Sequence, residues 1–121
     1  MLTGTDVPTI SPTATMDQAI LKMTEKNVGA VIVTNADNHV LGMITDGDLK
    51  RHMDANLLSR TVDSVMSRSP QTISPDLLAI EAVNRMLKRP GNQIITSLIV
   101  ADGNIFKGLI RVQECLKVGL I

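Results

Sequence analysis

An internal repeat constrains the fold of this chain more than any other feature. Residues 9–12 (Thr-Ile-Ser-Pro) recur as residues 72–75, and a methionine follows each copy at the same distance, Met23 and Met86. Each half of the 121 residues is short enough to be only marginally stable alone. We therefore expect the two halves to pack face to face around a shared core.

Each half shows the pattern of a strand, a helix, two strands and a second helix. A capping box of Thr15 and Gln18 marks one helix start, and β-branched runs mark the strands. The predicted strands are 7–10, 31–33, 40–44, 97–101 and 105–110, and the predicted helices begin at Thr15, Asp46, Thr61, Pro75 and Arg111. The predicted fold is α/β (α+β), with two β-α-β-β-α repeats, residues 1–60 and 61–121, packed with pseudo-two-fold symmetry.

Charge and composition exclude some functions. Twelve basic residues balance twelve acidic ones, and Phe106 is the only aromatic residue, so the chain lacks both the basic field and the stacking rings of nucleic-acid binding proteins. Cys115 is the only cysteine, which fits a reducing compartment. No apolar run is long enough to span a bilayer, and the first residues lack the pattern of a secretory signal. We expect a soluble, cytoplasmic chain.

Residues 42–49 (Gly-Met-Ile-Thr-Asp-Gly-Asp-Leu) offer the clearest chemistry. They lie where a strand ends and a helix begins, so the Thr45 hydroxyl and the first helical N–H groups could meet a phosphate. The Asp48 carboxylate, one turn further, could accept hydrogen bonds from a ribose diol. Thr-x-x-Asp is also an ordinary helix cap, so a structural role stays open. Lys50 and Arg51 would either neutralise a ligand phosphate or lie in solvent.

Residues 42–49 match the signature of cystathionine β-synthase (CBS) domains: Gly, two apolar residues, Ser or Thr, two variable residues, Asp and Leu. The chain as a whole resembles a tandem CBS pair, which implies a module that binds adenine nucleotides or related ligands. Residues 1–8, 45–51 and 116–119 further resemble the C-terminal region of the arabinose 5-phosphate isomerase family. This narrower resemblance implies an upstream sugar isomerase domain and a role in making Kdo, a lipopolysaccharide sugar.

The resemblance to CBS pairs also implies ligand contacts on the first strand, before the second strand and in the partner repeat. These candidate residues are Val7, Pro8, Thr9, Val28, Gly29, Ala30, Thr96 and Ser97, each of which could equally serve packing alone. In the second repeat, Arg111 stands where the signature has Ser or Thr, and Glu114 stands where it has Asp. We therefore expect one intact ligand site, at Thr45 and Asp48, and a degenerate second one.

No pattern in the sequence predicts catalysis, a metal or a cofactor. His39 and His52 each lack a second ligand at metal-binding spacing, so any enzyme activity would belong to the parent protein's isomerase domain. The predicted function is a regulatory CBS pair of an arabinose 5-phosphate isomerase, which binds a nucleotide or a nucleotide sugar such as CMP-Kdo within a homodimer or homotetramer. The alternatives are an oligomerisation module without a physiological small ligand and the CBS pair of a nucleotidyltransferase.

Overall fold

The computed structural model describes residues 2–3, 6–68, 70, 72–75 and 97–111. The elements in chain order are β1 (Leu2–Thr3), β2 (Thr9–Ile10), α1 (Met16–Lys26), β3 (Ala30–Thr34), β4 (Val40–Thr45), α2 (Asp46–Arg51), a 3-10 turn (Leu57–Ser59), α3 (Val62–Val65), β5 (Ser67–Arg68), β6 (Thr72–Ile73), β7 (Ser97–Asp102) and β8 (Ile105–Arg111). The helix predicted from Pro75 lies outside the described residues. Arg111, predicted to begin the last helix, is instead the final residue of β8.

The described strands form two sheets with the same internal order. The first sheet has the order β2-β3-β4-β5, and the second has the order β6-β7-β8-β1 when it is read from its other edge. In both sheets the first pair is parallel and the next two pairs are antiparallel. Each strand of one sheet therefore has an equivalent in the other, and the predicted class of two repeats with pseudo-two-fold symmetry is confirmed.

The two repeats exchange edge strands. Strand β1 pairs with β8 of the second repeat, where Leu2 lies opposite Leu109. Strand β5 turns back to pair with β4 of the first repeat, where Ser67 lies opposite Met43. The sheets therefore do not divide the chain in sequence order, and the predicted repeat bounds, 1–60 and 61–121, stay a prediction.

Local sequence signals explain the first repeat's long helix. Thr15 is the extended N-cap residue of α1, and the Gln18 side chain accepts a hydrogen bond from the Thr15 N–H at 3.4 Å, as the capping box predicts. Met16, Ala19 and Met23 lie buried on one face at helical spacing. The helix ends at Lys26, and its C-cap residue Asn27 adopts the left-handed conformation common at helix C-termini.

Among the described residues, the buried side chains form two clusters. One lies on the first sheet, where α1, the 3-10 turn and α3 cover one of its faces. The other lies between the sheets and joins side chains of both repeats: Val7, Val28, Ala30, Ile32 and Val40 with Ile99, Ala101, Phe106 and Leu109. The hairpin ends also meet, because the Val40 N–H donates to the Asn104 carbonyl at 2.9 Å and the Phe106 N–H donates to the Asn38 carbonyl at 3.0 Å. The first sheet is thereby held in place against the second.

Candidate functional site

The 42–49 segment folds into a strand end followed directly by a short helix. Thr45 is the last residue of β4 and the N-cap of α2, and its backbone is extended. The Asp48 N–H donates to Thr45 Oγ1 at 3.4 Å, and the Thr45 N–H donates to Asp48 Oδ2 at 2.9 Å. Thr45 and Asp48 therefore form a reciprocal capping box, which is the structural role that the Thr-x-x-Asp pattern allows.

Asp48 is the one charged side chain buried among the described residues, with 3% of its surface exposed. Its Oδ2 accepts hydrogen bonds from the N–H and, at 3.1 Å, the hydroxyl of Thr45. Its Oδ1 accepts from the Arg51 guanidinium and, at 3.0 Å, from the Ser67 hydroxyl. A carboxylate offers about four lone-pair positions, and these four donors occupy all of them.

The hydrogen bonds also set the charge state of Asp48. Burial by itself raises the pKa of this carboxyl, because it disfavours the charged form. The donors from the Thr45 backbone, Arg51, Ser67 and the Thr45 hydroxyl together outweigh burial and hold the pKa of Asp48 below its ordinary value. The carboxylate is therefore ionised at neutral pH and acts only as an acceptor.

The start of β3 lies beside the same motif. Ala30 pairs with Thr45 across the β3–β4 ladder, and the Asp46 N–H donates to the Gly29 carbonyl at 3.2 Å. Gly29 and Asp46 also line a cleft of about 200 Å³ whose other walls come from α1, the turn after it and α2. The structure thus places the predicted ligand residues Gly29 and Ala30 beside Thr45, and Val28 lines the same cleft as Gly29.

The other predicted ligand residues are scattered around this point. Val7 lies in the core between the sheets, and Pro8 is buried with its carbonyl accepting from the Ile32 N–H at 3.0 Å. The carbonyl of Thr9 accepts a hydrogen bond from Lys22 Nζ at 2.9 Å. Thr9 lines a separate cavity of about 350 Å³. The contact of these residues with a ligand stays a prediction.

The basic pair divides into two roles. Lys50 is exposed at the end of α2, whereas the Arg51 side chain, 65% exposed, forms an ion pair with Asp48. The first turn of α2 already carries the carboxylates of Asp46 and Asp48, so a phosphate there would meet negative charge. The basic side chains at the other end of α2 are the better partners for a phosphate.

The second repeat differs in chemistry at the equivalent place. Ser97 pairs with Arg111 across β7 and β8, as Ala30 pairs with Thr45 across β3 and β4. Arg111 therefore occupies the position of Thr45, as the sequence comparison of the two halves predicts. Thr96 and Glu114 lie outside the described residues.

Two features of the site escape sequence reasoning. Ser67 is distant in sequence from Asp48 and becomes its partner only because β5 pairs with β4. Gly42 is needed because β5 passes very close: a Cβ there would lie 2.7 Å from Met66 Sδ and 2.8 Å from the Ser67 carbonyl oxygen. A glycine permits such a close backbone approach, but no local pattern identifies the strand that approaches it.

The described residues offer neither a metal-binding cluster nor a membrane-spanning helix. Within the described ranges, no group of three His, Cys, Asp or Glu side chains could hold a metal ion. No helix in that part of the chain is both long and apolar enough to cross a membrane.

The fold and the motif together define a pseudo-symmetric pair of β/α repeats with a capped Thr-x-x-Asp turn in its first half. The chain belongs to the CBS domain family, whose sequence profile matches residues 2–55 and again 62–120. Solved structures support the fold: a CBS domain-containing protein of unknown function from Bacillus anthracis superimposes with a TM-score of 0.81 at 15% identity, over 98% of this chain and 87% of that one.

The curated relatives include arabinose 5-phosphate isomerases. The chain is 35% identical over 123 aligned positions to the isomerase KdsD of Yersinia pestis, and 33% identical to KdsD of Escherichia coli K12. Both matches cover 100% of this chain and 36% of the relative. The chain thus spans about a third of the length of the isomerases it matches.

Proposed function

We propose that this chain is the regulatory CBS pair of an arabinose 5-phosphate isomerase. The observation that carries the proposal is the similarity to these isomerases along the whole chain, together with an intact 42–49 signature at the end of β4. In the proposed parent protein, the remaining length of the relatives corresponds to the sugar isomerase domain that performs the reaction. The CBS pair then senses a ligand and passes the signal to that domain.

The ligand proposed for this module is a nucleotide or a nucleotide sugar, with CMP-Kdo as the first candidate because an activated end product permits feedback. Its ribose diol would donate hydrogen bonds to Asp48, next to Thr45 and Gly29. Its charged groups would lie toward Lys50 and Arg51, the basic side chains closest in sequence to the motif. The buried, ionised carboxylate supports the diol contact because it can only accept hydrogen bonds.

Calorimetric titration of the chain with CMP-Kdo, AMP and ATP tests the proposal. The decisive variant is Thr45→Ala, and its matched control is Thr15→Ala, because both residues cap a helix through a capping box. We expect Thr45→Ala to weaken binding and Thr15→Ala to leave it unchanged, although both lose a cap worth about 1 kcal/mol of stability. An absence of heat with all three nucleotides would contradict the proposed ligand class.

One observation favours a second function, in which the module only holds a homodimer or homotetramer together. All four acceptor positions of Asp48 are already occupied by donors of the chain itself, so the cap is complete without a ligand. Sedimentation and thermal unfolding together separate the two functions. A tight oligomer whose melting temperature no nucleotide raises would favour the second one, because a ligand that binds the folded state stabilises it by mass action.

A further inference from the structure

The contact between Ser67 and Asp48 joins the candidate site to the segment that links the two repeats. Ser67 begins β5, which lies on the edge of the first sheet and is only two residues long. The chain then continues directly into β6, which pairs with β7 in the second sheet. A displacement of Ser67 would therefore act on the first sheet directly and on the second sheet through the few residues between β5 and β6.

Strand β5 is held by its ladder to β4, by an ion pair between Arg68 and Asp63 of α3 at 2.8 Å, and by the Ser67 hydroxyl. Its two residues are exposed, and they pair with Gly42 and Met43 of β4. The Arg68 ion pair is exposed on both sides and contributes little, and the bond from Ser67 to Asp48 Oδ1, at 3.0 Å, is the side-chain contact that ties β5 to the candidate site. The close approach of Ser67 to Gly42 shows that β5 sits tightly against the strand that leads to Thr45.

A ligand hydroxyl cannot reach Asp48 without displacing one of its donors. Oδ2 belongs to the helix cap, since both of its donors come from Thr45 at the same turn. Oδ1 is the exchangeable oxygen, because its donors are the exposed Arg51 side chain and the hydroxyl of Ser67. A ribose diol supplies two hydroxyl donors, which match the two donors on Oδ1 in number.

In the second sheet, the described position equivalent to Ser67 carries a different residue. Strand β1 is the equivalent of β5, and the residue of β1 that lies opposite Leu109 is Leu2, as Ser67 lies opposite Met43. Leucine has no hydroxyl to donate. The shared strand register therefore does not by itself require a hydroxyl at this position.

From this geometry we infer that Ser67 is a coupling residue, which competes with the ligand's ribose for Asp48 Oδ1 and links ligand binding to the attachment of β5. The inference rests on the proposed function, in which a nucleotide binds at Thr45 and Asp48. Because coupling between two equilibria is reciprocal, a ligand that displaces Ser67 loosens β5, and loss of the Ser67 hydroxyl favours the ligand. Binding is thereby transmitted to the segment between the repeats.

The test compares Ser67→Ala with Ser64→Ala. Ser64 lies in α3, close in sequence, and its hydroxyl donates to the Thr61 carbonyl at 2.7 Å without touching Asp48. In calorimetric titrations with CMP-Kdo, AMP and ATP, we expect any nucleotide that binds the unmodified chain to bind Ser67→Ala about three- to tenfold more tightly. Ser64→Ala should bind as the unmodified chain does.

Hydrogen exchange gives a readout that a purely structural role would not move. Saturation of the unmodified chain with the nucleotide should accelerate exchange of the β5 amide protons, although ligands usually slow exchange near their site. If the nucleotide binds but Ser67→Ala binds equally or more weakly, or β5 exchange is unchanged or slower, the inference is overturned while the proposed function stands. If no nucleotide binds the unmodified chain, the proposed function fails and the inference falls with it.

Discussion

Replacing Asp48 with asparagine should reveal how much the buried carboxylate contributes to folding. Asparagine has nearly the same shape, but its single side-chain oxygen offers two lone-pair positions in place of four. Two of the four donors on Asp48 therefore lose their acceptor. If the oxygen stays on the Thr45 side, the amide group faces the donors Arg51 and Ser67.

The expected loss follows from how exposed each donor is. The Arg51 bond contributes less than about 1 kcal/mol because its side chain is 65% exposed. The Ser67 bond to a charged acceptor contributes roughly 1 kcal/mol or more, and the lost charge in the first turn of α2 adds a few tenths. We expect Asp48→Asn to lower the free energy of unfolding by about 2 kcal/mol.

Urea unfolding followed by far-ultraviolet circular dichroism measures this loss, since the chain has no Trp or Tyr for fluorescence. The midpoint should fall while the slope stays constant. The control is Asp17→Asn, which removes an exposed carboxylate from the first turn of α1 and should change stability by less than about 0.5 kcal/mol. If Asp48→Asn is as stable as this control, the reasoning from the saturated carboxylate is refuted.

Three further predictions concern stability. Gly42→Ala should destabilise the fold by about 1–3 kcal/mol because the new Cβ would lie 2.8 Å from the Ser67 carbonyl oxygen. Gly47→Ala, inside α2, should instead stabilise the fold by about 0.5–1 kcal/mol. Thermal unfolding of both variants measures these changes, and changes of the same sign would contradict the prediction. The lowered pKa of Asp48 contributes stability that is present above the ordinary pKa of an aspartate and is lost as pH falls through the lowered value. The difference in unfolding free energy between the unmodified chain and Asp48→Asn should therefore disappear between about pH 5 and pH 2. A difference that stays constant over this range would argue against the prediction. Phe106→Ala should cost about 3–5 kcal/mol in urea unfolding, because this side chain is 4% exposed in the core between the sheets; a cost below about 1 kcal/mol would mean that the core is not shared as described.

Local patterns in the sequence were sufficient to predict the regular elements of the first repeat and their caps. The Thr15–Gln18 and Thr45–Asp48 boxes act within one turn, and the buried run at 30–33 is readable from its β-branched residues. The repeat itself implied paired sheets, because two marginal halves must bury their apolar faces against each other. The CBS signature at 42–49 likewise needed no structure to be noticed.

The Thr-x-x-Asp spacing predicts a candidate ligand site at Thr45 and Asp48. The hydroxyl of Thr45 and the carboxylate of Asp48 are indeed neighbours, but they are engaged first with each other. The choice between a cap and a ligand contact could not be made locally, because the same spacing satisfies the helix N–H groups in both cases. The structure shows the cap, and the ligand contact stays a prediction.

The internal repeat predicts two similar halves, but no local pattern predicts how the halves pair. Two-residue strands such as β1 and β5 carry no periodicity, and their pairing depends on which edge backbone groups of a distant sheet lack partners. Only the tertiary structure decided that the repeats exchange these strands, that Ser67 reaches Asp48, and that Phe106 fills the core between the sheets. Helix caps and apolar runs are determined within a few residues, whereas contacts between distant segments arise when the whole chain buries its surface together.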